Sequence, residues 1–163
     1  MMKTLYAAAL AIALFFIVGC RPTLTNQPKP TPATLIQPAI DLINRCSTDT
    51  SINTMAYKAA FDTTTTSLVV FLGKSITQYD YKWEIPLKEV EKSGFMLFRV
   101  DYNVSSITLN IIGAHPLVKY YKDSQLKSKS AQFVLYLSKC FSNEEKELVL
   151  QKLYAAIVEA QKP

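Results

Sequence analysis

Histidine and glycine are scarce in this chain, and their scarcity removes whole classes of chemistry. His115 is the only histidine, so a histidine-rich metal centre is out of reach and a Ser-His-Asp triad could form only around that residue. It precedes Pro116 in a turn-forming stretch, and no serine stands in a G-x-S-x-G elbow. The four glycines, Gly19, Gly73, Gly94 and Gly113, are too few and too scattered for a loop that cradles phosphate. Net charge is a modest +5, without the dense basic cluster that nucleic-acid capture needs. A carboxylate pair for sugar hydrolysis could come only from spatial assembly, with Asp80, Glu84 and Asp101 as candidates. No cofactor, metal or nucleic-acid partner is implied, and no enzyme is expected.

What the chain does have begins at its start. Met1, Met2 and Lys3 precede fourteen uncharged, mostly apolar residues from Leu5 to Val18. A bilayer span wants about 20 such residues, so this length suits the core of an export signal. The stretch Ile17-Val18-Gly19-Cys20 then resembles the lipobox of bacterial lipoproteins: a branched apolar residue, a small or β-branched one, glycine, and cysteine. The family more often carries Leu at the place of Ile17 and Ala or Ser at that of Val18. The resemblance implies cleavage before Cys20 and a lipid on its sulfur, with acyl chains such as palmitate holding the protein to a membrane of the cell envelope. Each buried methylene contributes about 0.8 kcal/mol, so several chains on one cysteine hold far better than one. An Asp after the lipidated cysteine retains enteric lipoproteins at the inner membrane. Arg21 stands there instead, which leans the placement towards the outer membrane.

Taking the 19 signal residues from 163 leaves 144, the size of one domain, and takes the formal charge from +5 to +4 as Lys3 departs. Residues 20–34 read as the lipidated cysteine and a tether: Pro22, Pro28, Pro30 and Pro32 fall there, without a hydrophobic period. A dozen residues of polyproline geometry span roughly 35–40 Å. Residues 35–163 read as a single globular domain. Its two remaining cysteines, Cys46 and Cys140, make an even pair in an oxidising compartment, which predicts a disulfide closing a 94-residue separation.

Periodicity sets the fold expectation. Leu35, Ile36, Ala39, Ile40, Leu42 and Ile43 carry helical spacing, and Pro38 should confine the regular helix to about residues 37–46. Strand alternation runs through Met55–Phe61, Met96–Asn103, Ile107–Ile111 and Phe133–Leu137, and Ser67–Gly73 reads as a fully apolar strand. It is clearest where Tyr79, Tyr81, Trp83 and Ile85 alternate with Gln78, Asp80, Lys82 and Glu84. Met96, Phe98, Val100 and Tyr102 form one face of their strand. The segment VKYYKDSQLKSKS, with Lys119, Lys122, Lys127 and Lys129, reads as a solvated loop. Ser142 and Glu145 have capping-box spacing ahead of a helix whose stripe is Val149, Leu153, Ala156, Ile157 and Ala160, widened by Leu150 and Tyr154.

The class is therefore α+β: an antiparallel, curled sheet of six to seven strands, or a barrel, between a short N-terminal helix and a long amphipathic C-terminal one. That order resembles a pleckstrin-homology-like barrel, and YKWEIPLKEVEKSG is similar to the corresponding stretch in such domains of uncharacterised bacterial lipoproteins. The resemblance spans about residues 50–160, and a sheet with helices packed on one face is the alternative. In either case Tyr79, Tyr81 and Trp83 line the core or a pocket that meets a ligand or partner. The functional expectation is a non-catalytic envelope module that binds or scaffolds a protein, peptide or glycan. Two alternatives stand beside it, a carrier of a lipid or other apolar ligand and a carboxylate-based hydrolase.

Overall fold

The computed structural model describes residues 28–46, 57–99, 104–137 and 139–163. The lipobox with Cys20, the tether up to residue 27, Met55, and the strand positions Val100, Asp101 and Tyr102 lie outside the described residues.

The first helix, α1 (Pro32–Cys46), starts earlier than its hydrophobic spacing predicts and runs through Pro38. Its start is capped by reciprocal bonds: the Thr34 N–H donates to Thr31 Oγ1 at 3.2 Å, and the Thr31 N–H donates to Thr34 Oγ1 at 2.9 Å. Pro32 then takes the first helical position, where its missing N–H costs nothing. An interior proline costs about 3 kcal/mol. Ile36 before it and Ala39, Ile40 and Ile43 after it all lie on one buried face. A fully buried large aliphatic contributes about 1.5–3 kcal/mol. Keeping both halves on one axis therefore outweighs breaking the helix at Pro38.

Among the described residues, eight antiparallel strands follow: β1 (Lys58–Asp62), β2 (Ser67–Gly73), β3 (Tyr79–Pro86), β4 (Leu97–Arg99), β5 (Ser105–Asn110), β6 (Val118–Lys122), β7 (Gln125–Ser130) and β8 (Gln132–Leu137). The second helix, α2 (Asn143–Ala160), completes the α+β fold. The strands form two sheets, one of five in the order β1-β2-β3-β6-β7 and one of three in the order β4-β5-β8. Among the described residues these sheets do not join into a closed barrel.

One element is new relative to the sequence reading. VKYYKDSQLKSKS is a β-hairpin, β6 and β7, rather than a loop. Its corner residues Asp123 and Ser124 both have positive φ, 49° and 63°, as a two-residue hairpin turn of the primed kind requires. Asp-Ser lacks the glycine that advertises such a turn, and β7 is exposed along its whole length, so no apolar alternation marked it.

A second difference concerns β4. Leu97 pairs with Ile107, whose side chain is buried, so Leu97 shares the core face. Met96 and Phe98 fall on the opposite face and are each 48% exposed. Of the two faces that alternation separates, the one with Met96 and Phe98 is thus the outer one, because the strand's neighbour decides which set turns inward.

The core draws Leu68, Val70, Ile85, Ile107, Leu109 and Leu135 from the sheets and closes them under the two helices. The stripe on α2 is buried as its spacing predicts, except that Tyr154, expected to widen it, is 43% exposed, and Lys146 joins it at 6% exposure. Ser142 and Glu145 make both bonds of the capping box. The two helices pack together, the Arg45 guanidinium meets Glu145 at 2.8 Å, and Cys46 and Cys140 are paired with Cα atoms 5.9 Å apart.

Candidate functional site

The sheets part along β3, β6, β7 and β8, and a cleft of about 550 Å3 opens there to solvent. Its walls are aromatic: Tyr57, Tyr81, Trp83, Tyr120 and Phe133. The Trp83 ring lies at the centre, with centroids 5.4 Å from Tyr120, 5.8 Å from Phe133, 5.9 Å from Tyr57 and 6.5 Å from Tyr81. Tyr81 and Tyr120 stack at 6.3 Å with planes 8° apart. Cross-strand pairing creates the group, since Trp83 faces Tyr120 in the β3–β6 register and aromatic pairs favour these separations.

The polar side of the cleft is made by Ser128 and Ser130 on β7 and Gln132 on β8. Ser128 lies opposite Tyr120, and Ser130 opposite Val118. Small hydroxyl side chains at these two positions leave the neighbouring rings uncovered. A leucine at either would fill much of the space.

Of the three aromatic residues singled out from the sequence, the structure brings Tyr81 and Trp83 together and sends Tyr79 elsewhere. The cause is a bulge. Leu72 pairs with Tyr81 and Gly73 with Tyr79, leaving Asp80 as the extra residue. Gly73 is required at this point: a Cβ there would stand 2.5 Å from the Tyr79 Cα. The bulge also does a second job, because the Asp80 carbonyl accepts the Asp123 N–H at 3.0 Å and so ties down the β6–β7 turn.

Tyr79 instead joins a charged group on the other face of the sheet. The Lys82 Nζ lies 4.8 Å from the centre of its ring and 4.4 Å from that of Tyr121. Lys82 also pairs with Glu84 at 2.9 Å, while the Tyr121 hydroxyl donates to Glu84 at 3.0 Å and Lys119 approaches at 3.4 Å. Burial pushes the Glu84 carboxyl up, but the bonds from Lys82 and Tyr121 and the charges of Lys82 and Lys119 bring it below its ordinary value. Burial likewise pushes Lys82 down, and its bonds to Glu84 and Tyr79 more than reverse that. This is a satisfied electrostatic network, with Glu84 committed to cations.

The other sequence candidates stay apart. Asp80 is exposed on the bulge, Asp101 lies outside the described residues, and His115 is exposed beside the short turn Ile112–Ala114. Among the described residues no three His, Cys, Asp or Glu side chains gather as metal ligands would. Burial raises the Tyr57 phenol above its usual range, helped by the Tyr136 phenol, so at neutral pH the cleft wall is uncharged at that point.

Sequence reasoning missed Tyr57, Tyr120, Ser128, Ser130, Gln132 and Phe133 as cleft residues. The alternation Val118, Tyr120, Lys122 was a usable signal, hidden inside a lysine-rich stretch. No family model matches the chain, and no curated protein or solved structure matches it.

Proposed function

We propose that this chain is a lipoprotein of the bacterial envelope, anchored through Cys20 and leaning to the outer membrane, whose domain is a non-catalytic binding module. The export-signal core and the Ile17–Cys20 lipobox support the anchor, and the proline-bearing stretch after it supports a leash. The observation that supports binding is the open cleft of about 550 Å3 walled by aromatic rings. Pockets that hold ligands combine an apolar lining with a few polar groups that fix orientation. Trp83 and the tyrosines supply the first, and Ser128, Ser130 and Gln132 the second.

Two measurements test the reading. Cells fed an alkyne-bearing palmitate should label the wild-type chain and leave Cys20→Ser unlabelled; an unlabelled wild type would remove the anchor. The acylated protein is then captured from its own membranes, and what accompanies it is identified by mass spectrometry. Loss of the companion in Ser128→Leu, which plugs the cleft, supports binding there, and retention opposes it. A tightly held lipid inside the purified domain would favour the apolar-ligand carrier, for which the same aromatic cleft would be the cavity.

A further inference from the structure

The two outer strands of the five-stranded sheet are treated in opposite ways. At β1 the side-chain amide of Asn44 on α1 occupies the edge: its Nδ2 donates to the Ala59 carbonyl at 2.9 Å, and the Ala59 N–H donates to its Oδ1 at 2.7 Å. The far strand, β7, has β6 on one side and, among the described residues, no strand on the other. All six of its residues are exposed. An exposed edge offers a row of main-chain donors and acceptors to any extended chain. Here that row borders the aromatic cleft, and the β7 side chains that face the cleft are only Ser128 and Ser130.

From this we infer that the occupant of the cleft is an extended, acidic polypeptide segment that adds to β7 as a further strand. The inference rests on the cleft being a binding site and names its ligand class. Main-chain hydrogen bonds to β7 supply register. Alternate side chains of the segment pass the two serines and place an apolar or aromatic group against Trp83 and Tyr120, since successive residues of a strand point to opposite faces. Charge selects the partner. Lys122, Lys127 and Lys129 stand on the hairpin against Asp123, beside Lys119, which already approaches Glu84 at 3.4 Å, and Lys122 lies 5.7 Å from the Tyr81 ring at the cleft. A second copy of this chain is a poor occupant, because antiparallel β7–β7 pairing centred on Ser128 would set Lys127 against Lys129 of the other copy.

Trp83 is the only tryptophan of the chain and reports on its own cleft. The full chain, purified in detergent, is titrated with a capped ten-residue peptide alternating glutamate with valine and carrying one central phenylalanine. Parallel titrations use the same peptide N-methylated at alternate residues, a version with lysine for glutamate, and a chito-oligosaccharide. The acidic peptide should shift Trp83 emission saturably and slow amide exchange over residues 125–130. N-methylation and charge reversal of the peptide should each weaken binding about tenfold or more, and Lys127→Glu with Lys129→Glu should do the same from the protein side.

Equal binding of the N-methylated peptide overturns strand addition while leaving the cleft as a site. Response to the oligosaccharide with none to the peptides does likewise and assigns the cleft to glycan. Peptide binding that persists in Ser128→Leu, with an unchanged melting curve, overturns the cleft itself. So does silence of Trp83 towards every probe.

Discussion

Asn44 holds Ala59 by both of its main-chain groups, at 2.9 and 2.7 Å, and thereby joins the first helix to the first strand. An amide side chain in this position imitates a neighbouring strand: it satisfies one donor and one acceptor of an otherwise open edge. Asn44→Ala leaves both without that partner. The expected cost is about 1–3 kcal/mol, read as a lower urea midpoint with an unchanged slope. Asn44→Asp keeps the acceptor and loses the donor, and should fall between the two.

Cys46 and Cys140 lie at the C-terminal end of α1 and just before α2, 94 residues apart in sequence. A bridge between them restricts the unfolded chain more than it alters the folded one. Reduction, or the double change Cys46→Ser with Cys140→Ser, should lower unfolding free energy by about 2–4 kcal/mol. Identical urea curves with and without reductant would show that the pair adds no constraint.

Acid should loosen the same corner. The Glu145 carboxyl is held below its usual value first by the Ser142 N–H and then by Arg45. Its folded pKa is depressed, so the unfolded state binds the proton more readily. The contribution is present above the unfolded value of about 4.3 and disappears as pH falls through the folded one. Thermal unfolding followed between about pH 6 and 2.5 should show a steeper acid decline in wild type than in Glu145→Gln.

Gly73 permits the bulge that parts Tyr79 from Tyr81. Gly73→Ala forces a Cβ within 2.5 Å of the Tyr79 backbone, and should cost about 2 kcal/mol or more. Because the bulge also anchors Asp123 through Asp80, amide exchange at the β6–β7 turn should rise in this variant.

The bulge separates the roles of two tyrosines that alternation places together. Tyr81→Ala removes a cleft wall and should weaken binding of the acidic probe peptide by about tenfold. Tyr79→Ala lies on the opposite face and should leave that affinity unchanged. Equal losses from both would mean that the ligand does not use the cleft.

Much of the framework was legible before any coordinates. The α2 stripe, the Ser142–Glu145 cap, the inward sets of β5 and β8, and the Cys46–Cys140 pairing all follow from local spacing or from counting. Local rules failed where a neighbour had the final say. Pro38 stays helical because the α1 face packs across it, and β4 turns Leu97 inward because Ile107 is opposite.

The cleft lay further from reach. It needs a bulge at Asp80, a hairpin whose turn has no glycine, and two serines opposite an aromatic row, contributed by strands some 45 residues apart between Trp83 and Ser128.

By itself, then, the sequence determined the order of apolar and polar positions, the helix caps and the pool of aromatic side chains, since each depends on residues a few places apart. Which rings meet, and that Asn44 rather than a strand meets the main chain of β1 at Ala59, were decided only in three dimensions. Those outcomes depend on register between distant strands, where a shift of one residue sends a side chain to the other face.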